Sequence, residues 1–485
     1  MNFYPTIQEA ETILKTDDFK TIPISYSIDA KKDATDIYKV LKNISRNVFI
    51  LESARYDKTW GRYTFLGFDP KLEITCKDRT VKINSGTSLT FEDKSPHEYI
   101  RQIIEENKSP QISSLPTFTG GLVGYFSYEF INYSEPNTVS DTMDEEGFND
   151  VDLMLFDKLI AIDNLEQKIV FIVNIKTDDL KSNYNKGILD LKQLENLVIN
   201  GEFVNEEKGK LLEPLTPLFD ETRYSKMVEN AKQSILDGDI SQVVLSNRLS
   251  AKYTGSLFNT YCTLRKENPS PYMFYFSSSD IEIAGASPET LVKLENKKIS
   301  TFPLAGTKRR GKTPEEDKEL EIELLGDQKE CSEHNMLVDL GLYDLGKISE
   351  PSSLKVAKYM SIERFSHVMH IGSTVQGTIR GDKDALDAID AVLPAGTLSG
   401  APKLKACEII NRLENNRRGI YGGAIGYIDF SGNMDTCISI RLAFKKNGKV
   451  FVRSGAGIVK DSIPKKEYEE CINKARAVVE ALEEV

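Results

Sequence analysis

The sequence lacks the features that define several functional classes. Its 485 residues contain no uncharged apolar run near the roughly 20 residues of a membrane-spanning helix. The N-terminal stretch has no basic start followed by an apolar core, so no secretory signal is expected. The net charge of -12 leaves no basic excess to neutralise phosphates. These absences predict a cytoplasmic protein that binds neither membranes nor nucleic acid.

Cysteine and histidine are also scarce. Only four histidines occur, and the close pair His367 and His370 has no cysteine nearby, so a zinc site is not expected. The six cysteines contain no CxxC pair, which predicts reduced thiols and no disulfide framework. They stand singly at Cys76, Cys262, Cys331, Cys407, Cys437 and Cys471.

The chain length suggests two or three domains. Residues 1–175 are predicted to form a first domain made mostly of short strands and turns. Residues 176–218 are predicted to be a polar, partly helical linker, and residues 219–485 a second domain. Strands in runs followed by helices in runs favour an α+β fold with antiparallel sheets over a parallel doubly wound fold.

Three helices and two hairpins are predicted in the C-terminal domain. One helix covers ETRYSKMVENAKQSILDGD, one long helix spans about 314–340, and the last covers about 464–484. Asp-Ser-Ile-Pro before the last helix resembles an N-cap followed by a first-turn proline. Ser-Gly-Asn at 431–433 and Asn-Gly at 447–448 predict hairpin turns.

Two helical segments carry carboxylates three residues apart. DQKECSEHNMLVDL contains Glu330 and Glu333, and KKEYEECINKA contains Glu467 and Glu470 with Lys474 beyond them. Each pair also fits an ordinary solvated helix face. If the two faces meet, however, four carboxylates converge and cannot all stay unpaired. A hard cation such as Mg²⁺ would resolve that repulsion.

Several other residues suit an anionic substrate and acid–base chemistry. Arg441 and the glycines of SGAGIVKDS offer a positive charge and close backbone approach. Glu289 in GASPETL fits a general acid, or a first-turn glutamate, and His370 fits a base, or a core histidine. Together these residues predict an Mg²⁺-dependent site for a small carboxylate, and they leave the substrate open.

Eight motifs carry a family resemblance. PLAGT, KECSEH, HVMH, LPAGTLSGAPK, YGGAIGY, GNMDTC, GAGIVKDS and EYEECINKA occur in the order typical of chorismate-binding enzymes. The N-terminal half resembles the matching domain of anthranilate synthase large subunits. The resemblance covers nearly the whole chain and implies antiparallel sheets packed as a sandwich with helices outside.

Two positions imply the nucleophile. Water-adding members of the family carry a lysine where this chain has Gln242, and aminodeoxychorismate synthases carry a nucleophilic lysine where it has Ala305. Because both lysines are missing, the resemblance implies that ammonia attacks chorismate, giving anthranilate and pyruvate in the first step of tryptophan biosynthesis.

The resemblance also implies a role for each motif residue. Mg²⁺ is expected on Glu333 and Glu470 with Glu330 and Glu467 close by. Glu289 is the expected general acid, and His370 assists aromatisation. The other expected catalytic or chorismate-binding residues are Thr307, Thr397, Tyr421, Arg441, Gly455, Ala456, Gly457 and Lys474.

A partner and a regulator are implied as well. The chain has no Gly-x-Cys-x-Gly nucleophile elbow, so a separate glutamine amidotransferase subunit, in a heterotetramer, is expected to supply ammonia. Glu52 and Ser53 of Leu-Glu-Ser, with Pro271, Tyr272 and Met273, match the family's tryptophan feedback site.

The sequence departs from the family in two places and leaves three rivals open. LGLYD has Leu342 and Tyr343 where Arg and Asn are usual, and Phe302 replaces a common Arg, which puts partner docking in question. The rivals are a 2-amino-2-deoxyisochorismate synthase, an aminodeoxychorismate synthase component I and a catalytically idle paralogue. An idle paralogue would lose at least one of five residues, all of which are present: Glu289, Glu333, His370, Arg441 and Glu470.

Overall fold

The architecture is taken from a computed structural model that describes residues 3–54, 61–138, 142–365 and 368–484. Within these ranges most of the strands are short. In chain order they are β1 Thr21–Asp29, β2 Val48–Glu52, β3 Tyr63–Phe68, β4 Leu72–Lys77, β5 Thr80–Asn84, β6 Ser88–Phe91, β7 Gly121–Phe126, β8 Val151–Phe156, β9 Lys158–Asp163, β10 Lys168–Lys176, β11 Lys210–Leu211, β12 Thr216–Pro217, β13 Gln242–Thr254, β14 Tyr272–Ser277, β15 Glu282–Ser287, β16 Thr290–Glu295, β17 Lys298–Thr301, β18 Leu304–Arg309, β19 Lys355–Arg364, β20 Val368–Thr378, β21 Gly400–Ala401, β22 Ala424–Asp429, β23 Met434–Ile438, β24 Leu442–Lys446 and β25 Lys449–Ile458.

The helices are interspersed among these strands. They are α1 Ile7–Ile13, α2 Ala34–Ile44, α3 Pro96–Glu105, α4 Ile131–Ser134, α5 Leu180–Asn200, α6 Glu221–Leu236, α7 Phe258–Glu267, α8 Pro314–Gly326, α9 Gln328–Gly346, α10 Ala385–Val392, α11 Lys403–Glu414 and α12 Pro464–Glu483. Short 3-10 helices lie at Tyr128–Phe130, Pro136–Thr138 and Gly396–Leu398. None of the helices in the described residues is long and apolar enough to cross a membrane.

The strands form two large antiparallel sheets. The first has the order β1-β10-β9-β3-β2-β14-β15-β24-β25-β13-β11, with β12 and β21 also paired to β13. The second has the order β18-β20-β17-β16-β23-β22-β7-β8-β4-β5-β6, with β19 paired to β20. The predicted α+β fold with antiparallel sheets is therefore confirmed.

The two sheets pack face to face through an aromatic core. Phe49 of the first sheet meets Phe156 of the second edge to face, with ring centroids 4.8 Å apart. Phe65 and Tyr427 make a second contact between the sheets, with centroids 6.1 Å apart. Large aromatic side chains bury much apolar area at such contacts, which holds the sandwich together.

The helices cover the outer faces of the sandwich. Apolar residues of α2, α5, α7 and α12 join the core on the outside of the first sheet. Residues of α3, α9 and α10 do the same for the second sheet. Helices α6 and α11 pack around β13 and β25. Helix α9 packs against β18 and β20, and α12 packs against β25.

The predicted elements agree with the structure except at two points, both in the C-terminal helices. The helix predicted over 314–340 is two helices, because the Asp327 carboxylate caps α9 by accepting from Lys329 and Glu330 N–H groups. Pro464 does begin α12, but its N-cap is Ile463, which has no side-chain capping bond. The segment predicted as a linker includes α5, whose buried face packs on β10.

The predicted domain boundary does not separate the sheets. Strands from before residue 176 and after residue 218 alternate within both of them. In the first sheet, β2 pairs directly with β14, and in the second β7 pairs with β22. Both halves of the chain therefore share one hydrophobic core.

Candidate active site

Glu289 lies in the short connection between β15 and β16. The backbone N–H of Ile438 donates to the Glu289 carbonyl oxygen at 3.0 Å, and the buried Ser287 hydroxyl donates to the Ile438 carbonyl at 2.7 Å. These bonds attach the connection to β23. The position of the Glu289 carboxyl group is therefore set by two neighbouring strands and not by a free loop.

The surroundings of Glu289 favour its protonated form. Burial raises the pKa of this carboxyl group to about 8, against a usual value of 4.5. The Thr397 hydroxyl donates to Glu289 Oε1 at 3.2 Å, and the charge of Lys474 acts in the opposite direction to burial without cancelling it. At neutral pH this carboxyl group therefore carries a proton that it can donate.

His370 lies on β20 with its ring turned towards the PLAGT segment. Its Nδ1 is 2.8 Å from the carbonyl oxygen of Gly306 and 3.2 Å from the Thr307 hydroxyl. Because a carbonyl only accepts, Nδ1 carries the hydrogen and Nε2 keeps its lone pair. Burial lowers the His370 pKa, with the Arg441 charge acting in the same direction. His370 is therefore a neutral base at neutral pH.

Gly306 brings the His370 region next to one carboxylate pair. Its φ of +67° is a left-handed conformation that glycine adopts without strain. A Cβ at this position would lie 3.1 Å from Glu330 Oε2. The sequence thus places Glu330 of α9 against the turn whose carbonyl orients His370, as expected if the two motifs belong to one site.

The four carboxylates predicted to bind metal form two pairs. Burial, followed by repulsion from Glu333, raises the pKa of Glu330. Burial also raises the pKa of Glu467, and the Glu470 charge adds to this increase. Lys474 Nζ lies 2.7 Å from Glu470 Oε1 on the exposed face of α12.

The donor chemistry suits Mg²⁺. Mg²⁺ uses oxygen ligands, commonly one or two carboxylates with waters and substrate oxygens completing the octahedron. The mutual repulsion within each glutamate pair would be relieved by a cation. Within the described ranges no three His, Cys, Asp or Glu side chains are grouped closely enough to hold an ion. The structure therefore shows the four carboxylates as two separate pairs, one on α9 and one on α12, and not as one cluster.

Arg441 is the candidate anion-binding group. It adopts a left-handed φ of +54°, unusual for a residue with a side chain, between β23 and β24. Among the residues that the structure describes, no carboxylate lies within ion-pair distance of its guanidinium group, and burial lowers the Arg441 pKa. A strained, unpaired arginine is suited to bind a ligand carboxylate.

A glycine-rich strand lies next to this arginine region. Gly455, Ala456 and Gly457 are on β25 and pair with β13. A Cβ on Gly455 would lie 2.9 Å from the Tyr421 hydroxyl, and one on Gly457 would lie 3.0 Å from Gln242 Nε2. The glycines therefore leave space in front of Tyr421 and Gln242. Ala305, like Gln242, occupies a position where other members of the family carry a lysine. It pairs with Ile371, next to His370.

One functional group of residues was missed by sequence analysis. Glu414 is fully buried between Arg418 and Arg453. Its Oε1 lies 2.6 Å from Arg418 Nη2, and its Oε2 lies 2.8 Å from Arg453 Nη2. Arg418 also lies over Tyr421, with its guanidinium carbon 5.9 Å from the ring centroid. This network fixes α11, β25 and Tyr421 to one another beneath the site. In the sequence these residues form no local pattern, since the partners are far apart.

A second cavity contains the predicted feedback residues. It has a volume of about 500 Å³ and is lined by Leu51, Glu52, Ser53, Pro271, Tyr272 and Met273, among others. Glu52 and Met273 are opposite each other in the β2–β14 pair. Arg265 Nε donates to Glu52 Oε1 at 2.7 Å, so this carboxylate is paired inside the protein. Residues 55–60 of the same motif, and His367, lie outside the described residues.

The two departures from the family pattern are next to residues that line the small Glu289 cavity, namely Thr301, Pro303 and Gly341, but do not line it themselves. Leu342 packs at the edge of the core outside the second sheet, whereas Tyr343 is 67% exposed on α9. Phe302 lies between β17 and β18. Their positions leave the contacts of Glu289 and His370 unchanged.

Comparison with known proteins identifies the family of this chain. A family model described as chorismate binding enzyme matches residues 47–480. The chain belongs to the chorismate-binding enzyme family. Anthranilate synthase component 1 of Acetivibrio thermocellus is 42% identical to it, over 99% of each chain. The protein of the same name from Aquifex aeolicus is 40% identical, over 100% of this chain and 98% of the relative.

Solved structures of the family share the fold. Anthranilate synthase component I from Streptococcus pneumoniae has a TM-score of 0.74 at 37% identity, over 88% of this chain and 94% of that one. The menaquinone-specific isochorismate synthase from Escherichia coli has a TM-score of 0.69 over 98% of each chain, at 18% identity. The latter likeness concerns the fold alone. The sequence-based assignment to the chorismate-binding enzyme family is confirmed.

Proposed function

We propose that this chorismate-binding enzyme is the large subunit of an anthranilate synthase, which converts chorismate and ammonia into anthranilate and pyruvate. The main observation behind this proposal is that the site has an acid, Glu289, and a base, His370, but no nucleophilic lysine at positions 242 and 305. The names of the relatives over nearly the full chain support the same assignment.

The acid and the base have separate tasks. The protonated Glu289 carboxyl group donates its proton to the departing C4 hydroxyl of chorismate while ammonia adds at C2. The Thr397 hydroxyl holds that carboxyl group in place. His370 then accepts the C2 proton at Nε2 as pyruvate leaves and the ring becomes aromatic. Its Nδ1–H bond to the Gly306 carbonyl keeps the ring in the required tautomer.

Binding of the dianionic substrate requires positive charge. Arg441 and the N–H groups of Gly455–Gly457 hold the enolpyruvyl carboxylate, and Thr307 and Tyr421 complete the pocket. Glu333 and Glu470 would hold Mg²⁺, with Glu330 and Glu467 as the second member of each pair, and the bound ion would supply positive charge for the ring carboxylate. Lys474 Nζ contacts Glu470 Oε1 at 2.7 Å and so adds a positive charge beside this carboxylate.

The ammonia is supplied by another chain. Burial raises the pKa of five cysteine thiols, so none of these is a ready nucleophile for glutamine hydrolysis. We therefore propose a glutamine amidotransferase partner, in a heterotetramer. The word component in the names of the relatives is in line with a second subunit.

The 500 Å³ cavity is the proposed tryptophan feedback site. It combines an apolar wall, including Leu51 and Met273, with polar groups such as Ser53 at its rim. Its size suits an amino acid with a bicyclic side chain.

An ammonia-dependent assay tests the proposal. The purified chain is mixed with chorismate, MgCl₂ and an ammonium salt, and anthranilate fluorescence is followed with and without tryptophan. Anthranilate formation that tryptophan suppresses is expected. Consumption of chorismate without anthranilate would instead indicate 2-amino-2-deoxyisochorismate or aminodeoxychorismate, and product analysis distinguishes them.

A substitution tests the metal assignment. Glu333→Gln should abolish Mg²⁺-dependent turnover while far-UV circular dichroism stays unchanged. Glu408→Gln, an exposed glutamate on α11, is the control and should keep full activity. Undiminished turnover of Glu333→Gln would remove Glu333 from the metal site.

A further inference from the structure

One hydrogen bond connects the wall of the proposed feedback cavity to the residue that follows the proposed catalytic acid. Tyr272 lines the 500 Å³ cavity, whereas Thr290 lines a small cavity of about 50 Å³ together with Glu289 and Thr397. The Tyr272 hydroxyl and Thr290 Oγ1 are 2.9 Å apart. The two cavities therefore meet at this pair of side chains.

The direction of the hydrogen bonds is determined by the next residue. The Tyr272 hydroxyl donates to Asp435 Oδ1 at 2.8 Å, so its oxygen is left to accept from the Thr290 hydroxyl. Asp435 in turn lies 3.8 Å from Lys293 Nζ, and both of these residues line the larger cavity. Thr290, Tyr272, Asp435 and Lys293 thus form an ordered chain of polar contacts along that wall.

The structure gives Thr290 little freedom to move without Glu289. Thr290 is only 5% exposed, is the first residue of β16, and directly follows Glu289. The β16–β23 register shifts between Thr290 and Val292, a bulge-type irregularity that re-aims neighbouring side chains. The Ile438 N–H group holds the Glu289 carbonyl from β23. A displacement of Thr290 is therefore transmitted to the Glu289 side chain.

We propose that the Tyr272–Thr290 hydrogen bond is the coupling element through which an occupant of the 500 Å³ cavity changes the position of the Glu289 carboxyl group. An aromatic amino acid in the cavity displaces the Tyr272 ring, Thr290 follows its hydroxyl partner, and the 3.2 Å contact between Glu289 and Thr397 is disturbed. Thr290 is a positioning residue in this scheme. The inference rests on the proposed function, because it assumes that tryptophan occupies the cavity and chorismate the site.

Coupling and binding make different predictions. A residue that only shapes the cavity changes the affinity for tryptophan, whereas a coupling residue changes the effect of bound tryptophan on chorismate. Coupling of this kind is reciprocal and typically amounts to about 5–150-fold in affinity. The informative quantity is therefore the factor by which saturating tryptophan raises the KM for chorismate, measured beside the tryptophan Kd.

Thr290→Val is the decisive variant, since valine keeps the shape and loses the hydroxyl group. We expect the coupling factor to fall by about fivefold or more, while the tryptophan Kd, from isothermal calorimetry, changes by less than about threefold. Thr290→Ser keeps the hydroxyl and should retain inhibition. Thr436→Val on β23 is the matched control, because it deletes a buried hydroxyl bonded to the Val292 carbonyl and lines neither cavity.

Each result bears on the inference. Full inhibition of Thr290→Val at saturating tryptophan would overturn it, and so would a parallel loss of inhibition and tryptophan binding. Equal loss of coupling in Thr436→Val would show a general packing effect and would also overturn it. If Thr290→Val does not fold, Tyr272→Phe removes the same bond from the other side and is scored in the same way.

Failure of the proposed function gives a different pattern. A wild-type chain that forms anthranilate but neither binds tryptophan nor is inhibited by it would overturn both the feedback site and this inference, and leave the catalytic proposal standing. A chain that binds tryptophan but forms no anthranilate would overturn the catalytic proposal. The inference would then be tested by the reciprocal measurement, which is the change in tryptophan Kd caused by chorismate.

Discussion

Glu289→Gln should make the fold more stable and the enzyme less active, in a pH-dependent way. Glutamine has nearly the shape of the protonated glutamate that burial favours in the folded state. It cannot ionise, and it cannot donate the proton that the proposed reaction needs. Opposite effects on stability and activity are typical of a functional group held in an unfavourable environment.

The size of the stability effect follows from the pKa difference. The Glu289 pKa is about 8 in the folded chain, against 4.5 for an ordinary glutamate. A raised folded-state pKa means that stability is fully present below pH 4.5 and is lost as the pH rises towards 8. Each pH unit between the two pKa values is worth about 1.4 kcal/mol. At pH 7.5, ionisation of this carboxyl group therefore stabilises the unfolded chain by about 4 kcal/mol relative to the folded chain. Glutamine abolishes this difference, so a stabilisation of up to about 4 kcal/mol is expected at pH 7.5 and almost none at pH 4.5.

Urea unfolding at both pH values measures the effect. The midpoint difference between Glu289→Gln and the wild type should grow steadily with pH, whereas Glu408→Gln should show no such trend because that side chain is exposed. The turnover of Glu289→Gln should fall by about 10²–10⁴-fold at pH 7.5. A midpoint difference from the wild type that is the same at both pH values, or a variant less stable than the wild type at pH 7.5, would refute the assignment of a protonated, buried carboxyl group.

Three further changes test other parts of the site. Arg441→Gln should raise the KM for chorismate by roughly ten- to a hundredfold, since a hydrogen bond to a charged group is worth about 1.5–3 kcal/mol; an unchanged KM would contradict its role. The acid limb of kcat/KM should lie below pH 6.5, because burial lowers the His370 pKa, and His370→Asn should remove that limb. Glu414→Gln should cost about 3–5 kcal/mol in urea unfolding by leaving two buried arginines poorly paired, and Glu408→Gln on the same helix should cost almost nothing.

Local sequence patterns predicted helices and hairpin turns of the fold, and the family resemblance implied which motifs share a site. The β2 and β14 strands are both apolar and rich in aromatic or β-branched residues, and the structure pairs them so that Leu-Glu-Ser faces Pro-Tyr-Met across one cavity. Motifs at 289 and 397 likewise meet through the contact of Glu289 with Thr397. These agreements depend on the resemblance to a family, since periodicity alone gives no pairing across more than 200 residues.

Other features depend on tertiary structure and have no local signal. The left-handed φ of Arg441 is imposed by the turn between β23 and β24, and arginine has no intrinsic preference for it. The Glu414 network has no local sequence signal, because this one glutamate pairs with arginines from a turn and from β25. The break at Asp327 was missed since a capping aspartate inside an otherwise helical pattern looks like an ordinary polar helix residue.

Burial is the main cause that prepares both the acid and the base, because it favours the neutral form of each. It raises the pKa of the Glu289 carboxyl group to about 8 and lowers that of the His370 imidazole below 6.5. Between these two values Glu289 holds a proton to give and His370 an open nitrogen to receive one. Glu414, Arg418 and Arg453, although buried more deeply, keep their charges because each is paired with an opposite charge. The buried ionisable groups of the Glu414 network are thus paired, whereas within the described residues no ion pair within 4.0 Å involves Glu289 or His370.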